Sequence, residues 1–295
     1  MAGDASMELH RVRTGQRGRP AVVLLHGFLG SHADWHDLMN FFASRFDVVA
    51  VDLPGHGKSI DDLFEAPRSD HATIDKVGRG DSPSRCSDTS ATSMNRHSMP
   101  GAAQAVLQCM DAESIETATI VGYSMGGRLA LYLAMHAPER CQKVVMESSS
   151  PGLLMPNQAA ARVRADEAWA RRFETEPLSD VLTDWYAQPI FSTLTNQSEI
   201  VEKMMQQRLQ NEGRAVARSL RGMSVGAQTP LWDRLSELQR DVWVVTGERD
   251  AKYRQVAAEM MKRSPRIRSV CVPDAGHNAH AERPNAYQRV LEDIL

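Results

Sequence analysis

One serine of the sequence lies between two glycines in a setting where a nucleophile or a base could form. The string "GYSMG", Gly122 to Gly126, has the G-x-S-x-G spacing and lies between an apolar, strand-like run and a helix-like segment. Glycines on both sides permit the sharp turn that lifts such a serine clear of a sheet. Ser124 is therefore predicted to be the reactive side chain.

A serine hydroxyl is weakly reactive alone, so it needs a histidine to take its proton and an acid to orient that histidine. In chains with this turn the order is serine, acid, histidine. "VVTGERDAKY" places Asp250 after one strand-like run, and "VPDAGHNAH" places His277 after the next. Gly276 suits a tight functional turn before His277, and we predict Ser124, Asp250 and His277 as a catalytic triad. The alternatives are Asp274 or Glu248 as the acid and His280 as the base.

The segment "LLHGFLGS", 24–31, follows the first strong strand-like run and resembles a loop that supplies one N–H of an oxyanion hole. The predicted donors are the backbone N–H groups of Phe28 and of Met125, the residue after the serine. His26 is interpreted as a residue that holds this loop in place. The glycines of "VDLPGHGKS", 51–59, are explained by tight turns better than by phosphate binding.

Short apolar runs alternate with helix-like segments, which predicts an α/β fold with a mostly parallel central sheet flanked by helices. Residues 152–228 show helical patterning throughout and are predicted to form a helical cap over a core of 1–151 and 229–295. Residues 60–98 are polar and are predicted to be a flexible insertion. The strand-like runs are 21–26, 46–51, 118–123, 143–147, 242–246 and 267–272, and the helix-like segments outside the cap are about 34–44, 100–111, 125–136, 252–262 and 284–294.

Composition excludes several classes of function. The chain has 295 residues and a formal net charge of −3, which argues against binding to nucleic acid or to an anionic membrane. It contains no apolar run near the roughly 20 residues that span a bilayer, nor a signal-peptide core. Four dispersed cysteines disfavour a zinc site and a disulfide framework. We expect a soluble protein in a reducing compartment such as the cytoplasm.

The motifs together resemble the α/β-hydrolase superfamily: "HGFLGSHADW", "VDLPGHGKS", "GYSMGG", "GERD" and "AGH". More narrowly, "GYSMGGRLAL", "SSSPGL", "RRFETEPLSDVLTDWYAQPIF", "GERDAKYR" and "AGHNAHAERP" resemble the 2-succinyl-6-hydroxy-2,4-cyclohexadiene-1-carboxylate synthase (MenH) family of menaquinone and phylloquinone biosynthesis. The resemblance runs from about residue 20 to the C-terminus, except for 60–98. It implies a lyase whose serine removes a ring proton while pyruvate leaves, with no metal and no organic cofactor.

A substrate of that family carries three carboxylates, which require fixed cations in a dry pocket. The planar fork of arginine meets a carboxylate at two points. The resemblance assigns substrate binding to Arg128, Arg162, Arg208, Tyr123 and Trp185, with Arg164 as the close alternative to Arg162. The partner predicted is therefore a small polycarboxylate.

Two other functions stay open on the residues alone: a carboxylesterase or carbon–carbon bond hydrolase, and a non-catalytic ligand receptor. The length of 60–98 and the "SM" of "HSMPGAAQAVLQ", 97–108, resemble plant members of the family, which are part of the multifunctional protein PHYLLO. This likeness implies a plant or algal origin, the plastid stroma as an alternative location, and fusion to or association with other enzymes of the pathway.

Overall fold

A computed structural model describes residues 8–60, 95–194 and 197–295. In these residues seven strands form one sheet with the order β1-β3-β2-β4-β5-β6-β7. All neighbouring strands are parallel except β1, which pairs antiparallel with β3. The strands are β1 Arg11–Gly15, β2 Ala21–Leu25, β3 Asp47–Val51, β4 Ala118–Tyr123, β5 Cys141–Glu147, β6 Asp241–Gly247 and β7 Ile267–Val272.

Helices cover both faces of this sheet, and the predicted α/β architecture is confirmed. Between β5 and β6 the described chain forms four helices, α4 to α7, which lie within the range 152–228 predicted as a cap; we call these four helices the cap. The helices are α1 His36–Phe42, α2 Met99–Ala112, α3 Met125–His136, α4 Pro156–Thr175, α5 Leu178–Tyr186, α6 Ser198–Arg208, α7 Gly213–Gly222, α8 Ala251–Met261, α9 Ala279–Glu282 and α10 Pro284–Ile294.

The central strands are buried along their whole length, which explains their continuous apolar runs. Every residue of β2, β3 and β4 is buried, and two apolar clusters pack on the opposite faces of the sheet. A third cluster includes Phe173, Leu182 and Trp185 of the cap together with Leu29 of the loop after β2. The cap therefore packs on the loop after β2, where Phe28 contacts both this cluster and one cluster of the sheet.

The sequence analysis missed strand β1. Its arginines alternate along an edge strand, so it lacks a continuous apolar run. Arg11 and Arg13 both pair with Glu113, and Arg13 also pairs with Asp47. These acidic partners are distant in the chain. Strand β1 is therefore stabilised by ion pairs and by its pairing with β3, which the local sequence does not reveal.

The helix predicted at about 34–44 is divided into a 3₁₀ helix, His32–Trp35, and α1. At the C-terminal end of the segment 60–98, predicted to be flexible, His97 is buried and Ser98 caps α2 by accepting a hydrogen bond from the N–H of Gly101. Residues 61–94 lie outside the described residues.

Within the described ranges, none of the helices is both long and apolar enough to cross a bilayer. Cys109 and Cys141 are buried as free thiols, and Cys271 is an exposed free thiol. Burial raises the pKa of Cys109 to about 11 and that of Cys141 to about 12. Neither buried thiol is therefore a ready nucleophile at neutral pH.

Candidate active site

Ser124 lies at a strained turn between β4 and α3. Its φ of 49° is in the left-handed region that residues other than glycine seldom adopt. The turn needs glycine on both sides: a Cβ on Gly122 would lie 2.2 Å from the carbonyl oxygen of Gly126, and one on Gly126 would lie 2.2 Å from that of Leu25. The backbone N–H of Ser124 donates to the carbonyl of Glu147 at 2.9 Å, which fixes the turn to the end of β5.

The three residues predicted as a triad lie together at the carboxyl edge of the sheet. Nδ1 of His277 is 3.0 Å from Oδ2 of Asp250, and Nε2 of His277 is 3.4 Å from Oγ of Ser124. Asp250 and His277 are both buried. The histidine therefore has its acid on one side and the serine on the other, the arrangement needed to move a proton from Ser124.

The alternative acids and the alternative histidine have other partners. Glu248 accepts a hydrogen bond from the N–H of Asp274, and the Asp274 side chain pairs with Arg249 at the surface. His280 donates its N–H to Glu147, and its Nδ1 is 2.8 Å from that carboxylate. The geometry therefore favours Asp250 and His277 over these three residues.

Phe28 and Met125 line the same cavity as Ser124. Neither backbone N–H donates a hydrogen bond to a protein group in the part of the chain that the structure describes. Met125 is also the first residue of α3, where helix N–H groups are free. His26 is fully buried, and its Nε2 accepts from the N–H of Leu53, so it holds the two loops together as interpreted.

Cations lie in the cavity wall beside the serine. Arg128 donates from Nη1 to Oε1 of Gln228 at 2.8 Å and from Nη2 to the carbonyl of Met223 at 2.5 Å. It has no carboxylate within salt-bridge distance among the described residues. Burial lowers the pKa of Arg128 to about 10, so it is charged at neutral pH. Such a desolvated guanidinium, held by neutral groups, favours an anionic ligand.

Arg162 enters the same cavity from the cap. Its Nε donates to Oδ1 of Asp166 at 2.8 Å, and the other oxygen of Asp166 accepts from the hydroxyl of Ser224 at 2.7 Å. Arg164 does not line this cavity and is exposed. Of the two alternatives in the sequence, Arg162 is the one placed beside Ser124.

The two predicted aromatic residues have different positions. Trp185 lines the cavity, with its ring centroid 5.0 Å from that of Phe28. Tyr123 is not among the residues that line it; its ring packs against Gly27 and against the rings of His277 and His280, whose centroids are 5.5 and 5.0 Å away. Burial raises the pKa of Tyr123 well above its usual value. Tyr123 is therefore in contact with the catalytic histidine, and its predicted role in substrate binding stays a prediction.

Arg208 does not line the cavity of Ser124 either. Its guanidinium meets both oxygens of Asp34, at 2.5 and 2.9 Å, and its Nε donates to the hydroxyl of Tyr186 at 3.1 Å. Both charged side chains are almost fully buried. In this arrangement the charge of Arg208 is used in joining the cap to the core, so the structure does not bring it together with Arg128 and Arg162.

Among the described residues, one group of side chains has the composition of a metal site: His10, His32 and Asp52. Nδ1 of each histidine lies within hydrogen-bond distance of the carboxylate, which also accepts the N–H groups of His32 and Lys58. Each of these atoms therefore already has a hydrogen-bond partner in the protein.

Comparison with known proteins identifies the family. A family model described as alpha/beta hydrolase fold matches residues 20–284. A protein of Escherichia coli O1:K1 / APEC named 2-succinyl-6-hydroxy-2,4-cyclohexadiene-1-carboxylate synthase is 34% identical over 292 residues, 98% of this chain and 99% of that protein. One of the same name from Serratia proteamaculans (strain 568) is 33% identical over 96% of each chain. The chain belongs to the MenH family of α/β hydrolases.

Solved structures agree with this membership of the MenH family. MenH from S. aureus matches with a TM-score of 0.79 and 25% identity, covering 97% of each chain. The enol-lactonase from Burkholderia xenovorans LB400 matches with a TM-score of 0.72 at 18% identity, which shows the shared fold. The predicted resemblance is confirmed.

The MenH-family cavity also contains residues that sequence reasoning missed. Asp166, four residues after Arg162 on one helix face, could have been found from that spacing. Gln228 does not line the cavity but holds Arg128, which does; it is 100 residues from Arg128, and no local signal links them. Ser149, whose hydroxyl donates to the carbonyl of Ser124 at 2.8 Å, and Lys252 also line the cavity.

Proposed function

We propose that this protein is a 2-succinyl-6-hydroxy-2,4-cyclohexadiene-1-carboxylate synthase. The reaction is the elimination of pyruvate from 2-succinyl-5-enolpyruvyl-6-hydroxy-3-cyclohexene-1-carboxylate, a step of menaquinone biosynthesis. The relatives that cover the whole chain carry the name of this activity. The proposal includes Ser124, Asp250 and His277 as the catalytic residues.

The observation that carries the proposal is the charge of Arg128 next to the serine. Arg128 is held by a side-chain amide and a backbone carbonyl, and Arg162 faces the same cavity. An esterase for neutral substrates gains nothing from a desolvated cation there, whereas a tricarboxylate gains charge-assisted hydrogen bonds. The wall therefore fits an anionic substrate.

In the proposed reaction Ser124 acts as a base. Its Oγ takes the proton from the ring carbon that bears the succinyl group, while its own proton passes to Nε2 of His277. The electron pair of the broken C–H bond forms a ring double bond, the existing double bond shifts, and the C–O bond to the enolpyruvyl group breaks. The departing enolpyruvate takes up a proton and becomes pyruvate.

The surrounding groups lower the barrier by opposing charge. Asp250 stabilises the imidazolium that forms on His277. As the proton leaves, negative charge spreads to the carbonyl oxygen of the succinyl group, where the N–H groups of Phe28 and Met125 would donate to it. Trp185 and Phe28 provide the apolar wall that keeps water out and strengthens these interactions.

Pyruvate release from the purified protein tests this function. A coupled lactate dehydrogenase assay follows pyruvate, and p-nitrophenyl acetate is offered in parallel as a neutral ester. We expect pyruvate release that Ser124→Ala abolishes while substrate binding persists. Arg128→Met should lower kcat/KM about 30-fold or more. This corresponds to a loss of about 2–5 kcal/mol, the cost of removing one partner of a buried charge pair. Brisk ester cleavage without pyruvate would refute the lyase.

The pathway and the location of the protein are part of this proposal as well. The likeness of 60–98 to plant members supports a phylloquinone pathway, a plastid location and attachment to other pathway enzymes. The relatives compared above are bacterial and support the menaquinone pathway. Imaging of the tagged full-length gene product in its own organism would distinguish a plastid location from a cytoplasmic one.

A further inference from the structure

Lys252 has a position in the site that its local sequence does not explain. It is the second residue of α8, two positions after the N-cap Asp250, and its side chain lines the cavity of Ser124. The N-terminus of a helix carries partial positive charge, so a cation in the first turn is disfavoured, with the negative charge of Asp250 offsetting part of the cost. Residues that break a local rule in this way are commonly functional.

The charges around Lys252 make its position costlier still. Burial lowers the pKa of Lys252, and the nearby positive charge of Arg162 adds to the effect. Its Nζ lies 5.1 Å from the ring centre of Tyr253, and it forms no salt bridge with a described residue. The residue as a whole is exposed, so the ammonium lies at the rim of the cavity.

The cavity wall therefore has an excess of positive charge. Arg128, Arg162 and Lys252 approach it from α3, the cap and α8, respectively. One carboxylate, Asp166, is in the same wall, and its two oxygens are already bonded to Arg162 and Ser224. Arg208 adds nothing here, because Asp34 neutralises it elsewhere.

We propose that Lys252 binds one carboxylate of the substrate at the rim of the cavity, as the third cation beside Arg128 and Arg162. This inference rests on the proposed function, in which the substrate carries three carboxylates. The ammonium is a point charge on a flexible stem, so it can follow a carboxylate that enters or leaves at the rim. Lys252 thus selects for a polyanion and leaves the chemistry to Ser124.

Steady-state kinetics of pyruvate release test the proposal in Lys252→Gln, Lys252→Arg and a matched control, Lys262→Gln. Lys262 is the C-cap at the other end of the same helix, where it pairs with Glu259 and does not line the cavity. We expect Lys252→Gln to raise KM about 10-fold with a smaller change in kcat, the size of one charge-assisted contact near solvent. Lys252→Arg should restore most of the affinity, and Lys262→Gln should match the wild type.

A second measurement does not require turnover: calorimetric binding of propane-1,2,3-tricarboxylate. The affinity for this tricarboxylate should fall by a similar factor in Lys252→Gln. The affinity of that variant should also depend less on salt concentration than the affinity of the wild type. If Lys252→Gln and Lys262→Gln have the same KM and bind the tricarboxylate equally well, Lys252 does not bind a substrate carboxylate. Pyruvate release by the wild type would still support the proposed function in that case. A wild type that releases no pyruvate refutes the proposed function instead, and the binding arm then still decides whether Lys252 contacts a polycarboxylate.

Discussion

Removing one partner of the buried ion pair between Arg208 and Asp34 should destabilise the protein strongly. Arg208 is the last residue of α6 in the cap, and Asp34 is in the 3₁₀ helix that precedes α1. Their side chains are 3% and 5% exposed and share two hydrogen bonds. Arg208→Met keeps the length of the side chain and leaves the Asp34 carboxylate buried without a partner.

The magnitude follows from this burial. An uncompensated buried charge costs about 3–5 kcal/mol, whereas breaking an exposed pair costs about 0–1 kcal/mol. Asp34→Asn should cost a similar amount, because it leaves the guanidinium of Arg208 buried instead. The double variant Asp34→Asn/Arg208→Met contains neither charge, so its loss should be smaller than the sum of the two single losses by about 2 kcal/mol or more.

Urea unfolding at pH 7 gives these free energies, with Arg171→Met as the control. Arg171 pairs with Glu167 on the exposed face of α4, and its loss should stay below about 1 kcal/mol. Burial alone would raise the pKa of Asp34, but Arg208 outweighs it and lowers that pKa. The stabilisation by the pair is therefore present at neutral pH and is lost as pH falls through the lowered value.

The same variants decide between two roles of Arg208. Suppose that Arg208→Met loses no more free energy of unfolding than the control, while its KM rises steeply. Asp34 is then not the partner of Arg208 in the free enzyme in solution. The prediction that Arg208 binds substrate would then be the better account. A large loss of stability with double-mutant coupling supports the link between cap and core seen here.

Three further outcomes are expected. Gly126→Ala should abolish both soluble yield and pyruvate release, because the new methyl would lie 2.2 Å from a backbone carbonyl of β2 that cannot move. Glu147→Gln should cost about 1–3 kcal/mol in urea unfolding and reduce kcat, since the buried carboxylate accepts two hydrogen bonds from His280. In urea unfolding between pH 3 and 7, the free energy of unfolding should decrease once the pH is below about 4. Hydrogen-bond donors lower the pKa values of Asp34 and Asp52 in the folded protein despite burial, so the unfolded chain takes up protons at a higher pH than the folded one.

The parts of the molecule that local patterns define were predictable. Continuous apolar runs identify the central strands because both faces of β2, β3 and β4 are covered. The glycines around Ser124 predict the turn, because a Cβ at Gly122 or at Gly126 would collide with the backbone. Asp250 and His277 could be placed beside Ser124 because each follows a strand of one parallel sheet, whose carboxyl ends share an edge.

What sequence reasoning missed depends on contacts between distant residues. Asp34 and Arg208 are 174 positions apart, so the likeness to a family suggested a ligand for Arg208 while the fold supplies a carboxylate. Tyr123 directly precedes the serine, and its ring contacts His277 and His280, which follow it far along the chain. Strand β1 is defined by the acids that its arginines meet, and those lie on β3 and just after α2.

The turn at Ser124 and the segment that follows His277 both contact Glu147, a residue that takes no part in the proposed chemistry. Glu147 ends β5, between β4, which leads to Ser124, and β6, which leads to Asp250. Its backbone carbonyl accepts the N–H of Ser124, and its carboxylate accepts the N–H of His280, three residues after His277. One rigid strand end therefore sets the separation of Ser124 and His277. At 3.4 Å that contact is long for a hydrogen bond, as catalytic hydrogen bonds commonly are in enzymes without bound substrate.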